Sequence, residues 1–255
     1  MPTPASRKTD WKDEYTLLCE RCGYIIEDLD QSLPCPECGK PITESLPERR
    51  VATPWQQKRK FKSFMHTWWM TIRRPKSTLD TMSFNESEYN DLAAYACIAT
   101  HLVPISTTLA LLLIDGSFSR IASILLCVFS FVPVWLTLMA LTATESFGLR
   151  FIGNRRGFRI DKIISNNIVA HGAAGWLLIG LGSTLGALLI LLPDIIDSNF
   201  IPVRIDFNVI GWWIILFSFL AGFLFFETFA YLGLRRCKYA NRSRPNPAPE
   251  RTNNT

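Results

Sequence analysis

Four long apolar runs limit the possible folds of this chain more than any other feature. They cover about residues 92–114, 121–143, 167–193 and 208–234. A helix needs about 20 mostly apolar residues to cross the hydrocarbon core of a bilayer, and buried helices of water-soluble proteins rarely remain uncharged for so long. The runs therefore predict an all-α membrane bundle of four transmembrane helices over residues 91–236.

Lysine and arginine are unevenly distributed around these runs. They are frequent before the first run, between the second and third runs, and in the tail, whereas the first connection holds only Arg120 and the third only Arg204. Basic connections stay in the cytoplasm. We therefore expect a multi-pass protein of the cell (inner, cytoplasmic) membrane with both termini in the cytoplasm and a disordered basic tail over residues 237–255.

Two Cys-x-x-Cys pairs lie in the stretch CERCGYIIEDLDQSLPCPECGKPI, which begins at residue 19. The glycine after each pair can adopt the left-handed conformation that lets backbone N–H groups reach the sulfurs. Four thiolates favour a tetrahedral Zn²⁺ ion, with iron as the chemical alternative. After a disordered N-terminus, 1–14, we expect a small β-hairpin zinc ribbon over residues 15–48, with one structural ion held by Cys19, Cys22, Cys35 and Cys38.

Two disulfides or a thioredoxin-like redox pair are the alternatives to a metal site. Disulfides need an oxidising compartment, which disagrees with the expected topology. A redox pair needs a strand-to-helix context without a second matching pair. Four thiolates complete a tetrahedron, so we expect a structural ion that stabilises a segment too short to bury its own core.

The segment WQQKRKFKSFMHTWWMTIRRPK, which begins at residue 55, has apolar residues at helical spacing within the linker 49–90. Basic residues flank this stripe, and Pro75 ends it. We expect a helix in the cytoplasmic lipid interface, with four aromatic residues in contact with the bilayer: Phe61, Phe64, Trp68 and Trp69. The alternative is an amphipathic helix packed on the membrane domain or on a partner chain.

Charge separates the ribbon from the segments that follow it. Acidic residues outnumber basic ones over residues 10–48, and residues 49–79 contain no acidic residue. An acidic ribbon repels phosphates, so no nucleic acid is expected as a partner. The basic second connection, residues 149–167, has three interpretations: it docks on lipid headgroups, it holds the acidic ribbon, or it is a solvated loop.

Three ionisable residues, His101, His171 and Glu227, fall within the predicted spans. Such groups are candidates for a polar cluster that relays protons or binds a solute or a metal, and the alternative is that they hold helices together.

Gly182 and Gly186 form a Gly-x-x-x-Gly motif that lets helix backbones approach closely. We expect this motif to pack the third span within the bundle, with a homo-oligomer as the less favoured use.

The cysteine stretch, followed by FKSFMHTWWMTIRRPKSTLDTM and GNRRGFRIDKIISNNIVAHGAAGW, resembles a set of uncharacterised bacterial membrane proteins in which a zinc ribbon precedes four or five spans. The stretch TIRRPKSTL and the polar second connection are also faintly similar to the Yip family of small multi-pass proteins. The first resemblance implies that the four cysteines are ligands, and it implies no reaction. The second implies a link with membrane trafficking and shape.

Motifs of metalloproteases, serine hydrolases and P-loop enzymes are absent from the sequence. The chain is therefore expected to be non-enzymatic, with the ribbon as an interaction or regulatory module for a cytoplasmic protein. One alternative is a small solute or ion transporter, with His101, His171 and Glu227 along the path and the ribbon as a regulatory cap. Another is a redox or intramembrane enzyme that uses iron at the thiolates.

Overall fold

The computed structural model describes residues 13–84, 89–115, 120–195 and 206–243. These residues form two short 3-10 helices, Ile42–Ser45 and Pro47–Arg49, and then α-helices only. The α-helices in chain order are α1 (Pro54–Gln57), α2 (Phe61–Arg73), α3 (Pro75–Thr81), α4 (Tyr89–Asp115), α5 (Arg120–Arg155), α6 (Lys162–Gly172), α7 (Ala174–Ile195) and α8 (Phe207–Arg236).

Three helical segments are long and apolar enough to cross a membrane. They are Val132–Arg155 in α5, Lys162–Ile190 across α6 and α7, and the whole of α8. The expected first span, 92–114, lies in α4, and many of its side chains fall outside the described residues. A helical protein with three helices of membrane-spanning length is confirmed, and the fourth span stays a prediction.

Helix α7 is the centre of the bundle, because it packs against both α8 and α4. Trp176 in α7 is fully buried and stacks on Phe226 of α8, with ring centroids 4.5 Å apart. The Trp176 indole N–H also donates a hydrogen bond to Thr142 Oγ1 of α5 at 3.1 Å. One buried tryptophan therefore joins three of the helices.

The linker packs into the same core as the long helices over its described part, residues 49–84. Trp55, Leu79 and Met82 are all buried there and share one hydrophobic cluster with residues of α6 and α8. Gln56 donates a hydrogen bond to Asn167 Oδ1 of α6 at 3.2 Å. The segment is thus an integral part of the helical domain.

The first residues of the expected disordered tail are buried. Cys237, Ala240, Asn241 and Arg242 are each at most 4% exposed. They pack against the ribbon and the second connection through hydrogen bonds that are described below. Residues 237–243 are therefore part of the folded structure, and the remainder of the expected disordered tail lies outside the described residues.

The β-hairpin expected between the cysteine pairs is not seen in the described residues. The ribbon instead contains two isolated antiparallel bridges, Leu18–Ile25 and Pro34–Pro41. Prolines cannot donate to a ladder of backbone hydrogen bonds. Between the two bridges the chain turns at Asp30, whose side chain accepts a hydrogen bond from the Ser32 N–H at 2.9 Å.

Candidate metal centre

The first cysteine pair lies in a tight turn closed by the Leu18–Ile25 bridge. The Gly23 N–H donates to the Cys19 carbonyl at 2.8 Å, and the Cys19 N–H donates to the Tyr24 carbonyl at 2.8 Å. Gly23 has a φ angle of 83°, in the left-handed region that glycine adopts without strain. The turn therefore requires the glycine that follows the pair.

The second pair repeats this geometry sixteen residues later along the chain. The Gly39 N–H donates to the Cys35 carbonyl at 2.9 Å, and the Cys35 N–H donates to the Lys40 carbonyl at 2.8 Å. Gly39 has a φ angle of 70°. Two equivalent turns thus present one pair of sulfurs each.

The four sulfurs converge on a single point. The Sγ atoms of Cys19, Cys22, Cys35 and Cys38 all lie within 4.8 Å of one another. The sulfurs of Cys19 and Cys38 are 3.5 Å apart, and those of Cys22 and Cys35 are 3.6 Å apart. An ion with Zn–S bonds of about 2.3 Å has tetrahedral S–S edges of about 3.8 Å. The donor set therefore fits one metal ion, and no oxygen or nitrogen ligand is required.

The environment of the sulfurs shifts the pKa values of two of the thiols in opposite directions. Burial raises the pKa of the Cys19 thiol, but the backbone N–H groups of Cys22 and Arg21 lower it, and the resulting pKa is about 7. Burial raises the pKa of Cys22 well above its usual range. A metal ion that binds here must displace the remaining protons, so metal binding releases protons and weakens at low pH.

The apolar core of the ribbon is very small. Ile26 and Ile42 are the buried aliphatic residues that pack with Cys19 and Cys35. Such a core is too small to offset the conformational entropy of ordering about thirty residues. The free energy of metal binding is the natural supplement.

Arg159 of the basic second connection forms hydrogen bonds with both the ribbon and the tail. This side chain is buried, and its guanidinium donates to the Thr16 carbonyl at 2.5 Å and to the Ala240 carbonyl at 2.8 Å. Burial lowers the pKa of Arg159 to about 10, so the group is still charged at neutral pH. One of the three interpretations is that the basic connection holds the acidic ribbon by charge. Arg159 does contact the ribbon, but its partner there is the Thr16 carbonyl and not a carboxylate.

Asn241 connects the tail to the same place. Its Nδ2 group donates to the carbonyl oxygens of Leu18 and Ser45, and its Oδ1 atom accepts from the Leu18 N–H. The Arg159 guanidinium also donates to this Oδ1 atom at 2.6 Å. The ribbon, the second connection and the tail therefore share one buried hydrogen-bond network.

Charge and shape complementarity complete this contact. Arg242 pairs with Asp161 at 2.8 Å and with Glu14 at 3.2 Å. The Tyr239 ring lies so close to Gly23 that a Cβ atom on the glycine would approach it to 2.8 Å. The first cysteine turn is thus fitted directly against the tail.

The four aromatic residues predicted to contact the bilayer lie in two different environments: Phe64 and Trp68 contact the bundle, and Phe61 and Trp69 are exposed. Phe64 is buried with Thr67 and Thr71 against the bundle, and the Trp68 indole N–H donates to the Ala174 carbonyl at 3.1 Å. Phe61 and Trp69 are exposed at 79% and 48%. Helix α2 therefore packs on the helical domain through one face, and its contact with lipid through Phe61 and Trp69 stays a prediction.

The ring nitrogens of His171 bond to residues outside the candidate polar cluster. The His171 Nδ1–H donates to the Asn167 carbonyl at 2.9 Å, and Nε2 accepts from the Thr53 hydroxyl at 3.2 Å. Both ring nitrogens are therefore used within α6 and the linker. His101 Nδ1 lies 3.0 Å from the Cys97 carbonyl of its own helix, and Glu227 is half-buried in α8.

The two predicted packing glycines lie where α7 crosses α8. A Cβ atom on Gly182 would collide with Ser218, and one on Gly186 would lie 2.7 Å from the Gly211 carbonyl. The Cβ position of Gly211 is in turn 2.7 Å from the Gly186 carbonyl. The two helices therefore approach at a reciprocal contact of backbones within the chain.

Sequence reasoning did not identify Asn241 as a structural residue. It lies in the basic tail that the sequence predicts to be disordered, and its partner Leu18 is 223 residues away. Periodicity in the sequence relates neighbours along a helix or a strand and does not detect such a contact.

Comparison of the chain with protein-family models, with curated proteins and with solved structures gave no match.

Proposed function

We propose that the chain is a four-span protein of the cell membrane whose cytoplasmic zinc ribbon is a non-enzymatic interaction module. The observation that carries the proposal is the convergence of four thiols within 4.8 Å in a ribbon fixed to the helical domain. A complete set of four thiolates leaves no open coordination position, so the ion would have a structural role. Zinc is the metal that such a site usually holds.

The sidedness of the proposal is supported by contacts between distant segments. Thr16, Arg159 and Ala240 belong to the N-terminal segment, the second connection and the tail, and Arg159 bonds to both of the others. These segments must then lie on one side of the membrane. An even number of spans, with α4 as the first, satisfies this condition, and the frequency of basic residues in these segments favours the cytoplasm for that side.

The outer face of the ribbon offers a surface for a protein partner. Tyr24, Ile25, Leu29 and Leu33 are exposed apolar residues, and Leu33 is 56% exposed. Glu27, Asp28 and Asp30 lie in the same stretch. This combination suits a basic amphipathic segment of a cytoplasmic protein, whose apolar residues would cover the aliphatic surface. An acidic face does not suit lipid headgroups or nucleic acid.

Metal analysis of the purified full chain tests the first part of the proposal. We expect one zinc ion per chain, and none in the Cys35→Ser/Cys38→Ser variant. Protease cleavage should then appear in residues 15–48 and 237–243 while the helices stay in the membrane fraction. Cys97→Ser is the control, because Cys97 is buried in α4, away from the metal centre. Iron, or zinc retained by the double variant, would contradict the assignment.

Photo-crosslinking in cells tests the interaction surface. A photoreactive amino acid at Leu33 should give an adduct with a cytoplasmic protein, and the same group at Val51 should not. Val51 is a suitable control because it is 63% exposed but lies outside the ribbon face. The adduct should disappear in the Cys35→Ser/Cys38→Ser background. Equal adducts from both positions, or none from Leu33, would overturn the interaction role.

A further inference from the structure

A cavity of about 270 Å³ lies between α4, α5 and α6. One end is lined by polar side chains, namely Ser146, Arg150, Lys162 and Asn166. The other end is lined by small or flexible apolar side chains, namely Ala93, Met139, Ala143, Val169 and Ala170, and by Thr142. The Thr142 hydroxyl is already bonded to the Leu138 carbonyl and the Trp176 indole N–H. The cavity is therefore amphipathic along its length, with both of its cations at one end.

The polar end is built by two facing helical turns. Ser146 and Arg150 are four residues apart on α5, and Lys162 and Asn166 are four residues apart on α6. Residues at this spacing lie on the same face of a helix. The Ser146 hydroxyl donates to Asn166 Oδ1 at 2.5 Å and so ties the two turns together.

The polar end lies at the ends of two candidate spans, next to the basic second connection that joins them. One candidate span ends at Arg155 and the next begins at Lys162. A second cavity, of about 500 Å³, borders the connection and shares Arg150 and Lys162 with the first. The apolar end of the first cavity lies among residues further inside the two spans.

The charged side chains next to this site, Arg159 and Asp161, form their bonds with other groups and not with Arg150 or Lys162. Arg159 is committed to the Thr16 and Ala240 carbonyls, and the Asp161 carboxylate is paired with Arg242 at 2.8 Å. The other carboxylate oxygen, Asp161 Oδ1, accepts from the Ile164 N–H at 2.7 Å, so both oxygens of Asp161 have partners other than Arg150 and Lys162. Arg150 supplies a planar fork that matches phosphate oxygens, and Lys162 supplies a second positive charge.

We propose that this cavity binds an acidic phospholipid from the leaflet on the ribbon side of the membrane. The phosphate contacts Arg150 and Lys162, and the glycerol with the first acyl carbons occupies the apolar end. A free phosphate satisfies the two cations but leaves the apolar lining unfilled. The proposal needs the helices in a bilayer, and it is independent of the metal and of any protein partner of the ribbon.

Binding to the purified full chain in detergent, followed by native mass spectrometry, tests the proposal. The probes are short-chain phosphatidylglycerol, short-chain phosphatidylcholine and inorganic phosphate. We expect phosphatidylglycerol to bind most tightly and inorganic phosphate not to displace it. Arg150→Gln with Lys162→Gln should weaken phosphatidylglycerol binding by about 25-fold, on the basis of about fivefold for each cation near an anionic headgroup.

The matched control is Arg155→Gln with Arg156→Gln. These exposed arginines belong to the same connection, and neither lines the first cavity. We expect less than about a twofold change, since removal of distant surface charge has a small screened effect. An equal loss in both double variants would show general attraction to a basic surface and would overturn the site.

A third variant tests the contribution of the apolar lining separately from that of the two cations. Ala143→Leu fills the apolar end and leaves Arg150 and Lys162 unchanged, so phosphatidylglycerol binding should fall by at least about tenfold because one full side chain of contact volume is lost. Unchanged lipid binding in this variant would overturn the proposal. Inorganic phosphate that competes fully with the lipid would also overturn it, because the site would then be one for soluble anions. Circular dichroism of each variant establishes that its helices are intact.

Discussion

The side-chain amide of Asn241 forms hydrogen bonds with both backbone polar groups of Leu18. The Oδ1 atom accepts from the Leu18 N–H at 2.9 Å, and the Nδ2 group donates to the Leu18 carbonyl at 2.7 Å. Leu18 directly precedes Cys19, the first of the four converging thiols. The end of the described chain therefore fixes the start of the metal centre.

Replacement of Asn241 by alanine should release the ribbon from the helical domain. The variant leaves the buried N–H and carbonyl of Leu18 without partners, at a cost of about 1–3 kcal/mol for each unsatisfied group. Local opening should become more frequent. Hydrogen–deuterium exchange of the full chain should accelerate in residues 15–25 and 237–243, and the long helices should keep their protection.

The control for this prediction is Asn154→Ala. Asn154 is an exposed asparagine of the second connection, so its loss should leave exchange in the ribbon unchanged. If both variants exchange alike, the Asn241–Leu18 contact does not determine how the ribbon is held.

Phenylalanine substitutions in α2 test which face of this helix is buried. Phe64→Ala should lower the free energy of unfolding by about 3–5 kcal/mol, since it opens a cavity in the core. Phe61→Ala should change it by less than about 0.5 kcal/mol, because Phe61 is 79% exposed. Thermal unfolding of the two variants in detergent compares the same residue type on one helix. Similar melting temperatures would contradict the packing of α2.

The same helix shows what the apolar pattern could predict. The 3.6-residue period predicts α2 and its end at Pro75, and the structure has a helix over Phe61–Arg73. The pattern includes Phe64 of the buried face but does not identify Thr67 and Thr71, which are buried beside it. Thr67 is buried because its hydroxyl oxygen accepts a hydrogen bond from the Trp55 N–H at 2.9 Å. A polar residue satisfied in this way cannot be identified from hydropathy alone.

The metal centre was predictable because its chemistry is local. Each ligand pair is contained in four residues, and the following glycine is identified by its need for a positive φ angle. The contacts of Arg159 and Asn241 were not predictable, because their partners lie 143 and 223 residues away. Their positions depend on how the helices fold back, and short-range sequence patterns do not contain that information.

Alanine substitutions of glycine test the close contact of α7 with α8. Gly186→Ala places a methyl group 2.5 Å from Ile215 Cγ1 and 2.7 Å from the Gly211 carbonyl. The helices must separate, at a cost of about 1–3 kcal/mol. At Gly148 in α5 a Cβ atom meets only Glu145 Oε2, at 3.9 Å. Gly148→Ala should therefore be neutral or stabilising by up to about 1 kcal/mol. Thermal unfolding distinguishes the two, and a lower melting temperature for Gly148→Ala than for Gly186→Ala would contradict the helix contact.

Arg50 connects the ribbon to the end of α3 through a buried ion pair. Its guanidinium donates to Glu20 Oε1 at 2.8 Å and to the Leu79 and Met82 carbonyls at 2.9 and 3.2 Å. Burial lowers the pKa of Arg50, but Cys237 and Glu20 raise it, and the resulting pKa is above the ordinary value. The arginine is therefore charged, and Glu20 depends on it as a counter-ion.

Removal of this one charge should destabilise the ribbon more than removal of both charges. Arg50→Met leaves Glu20 with the longer ion pair to Lys40, at 3.9 Å, in place of the close one to Arg50, and should cost about 3 kcal/mol. Arg50→Met with Glu20→Gln should cost less, because no uncompensated charge is buried. Arg49→Met is the control: this half-exposed arginine lies 3.8 Å from Glu44, and its loss should cost at most about 1 kcal/mol. Protease resistance of the ribbon in denaturant measures all three variants. Two results would contradict the role of the ion pair: a ribbon less resistant to protease in the double variant than in Arg50→Met, or an equal loss of resistance in Arg49→Met and Arg50→Met.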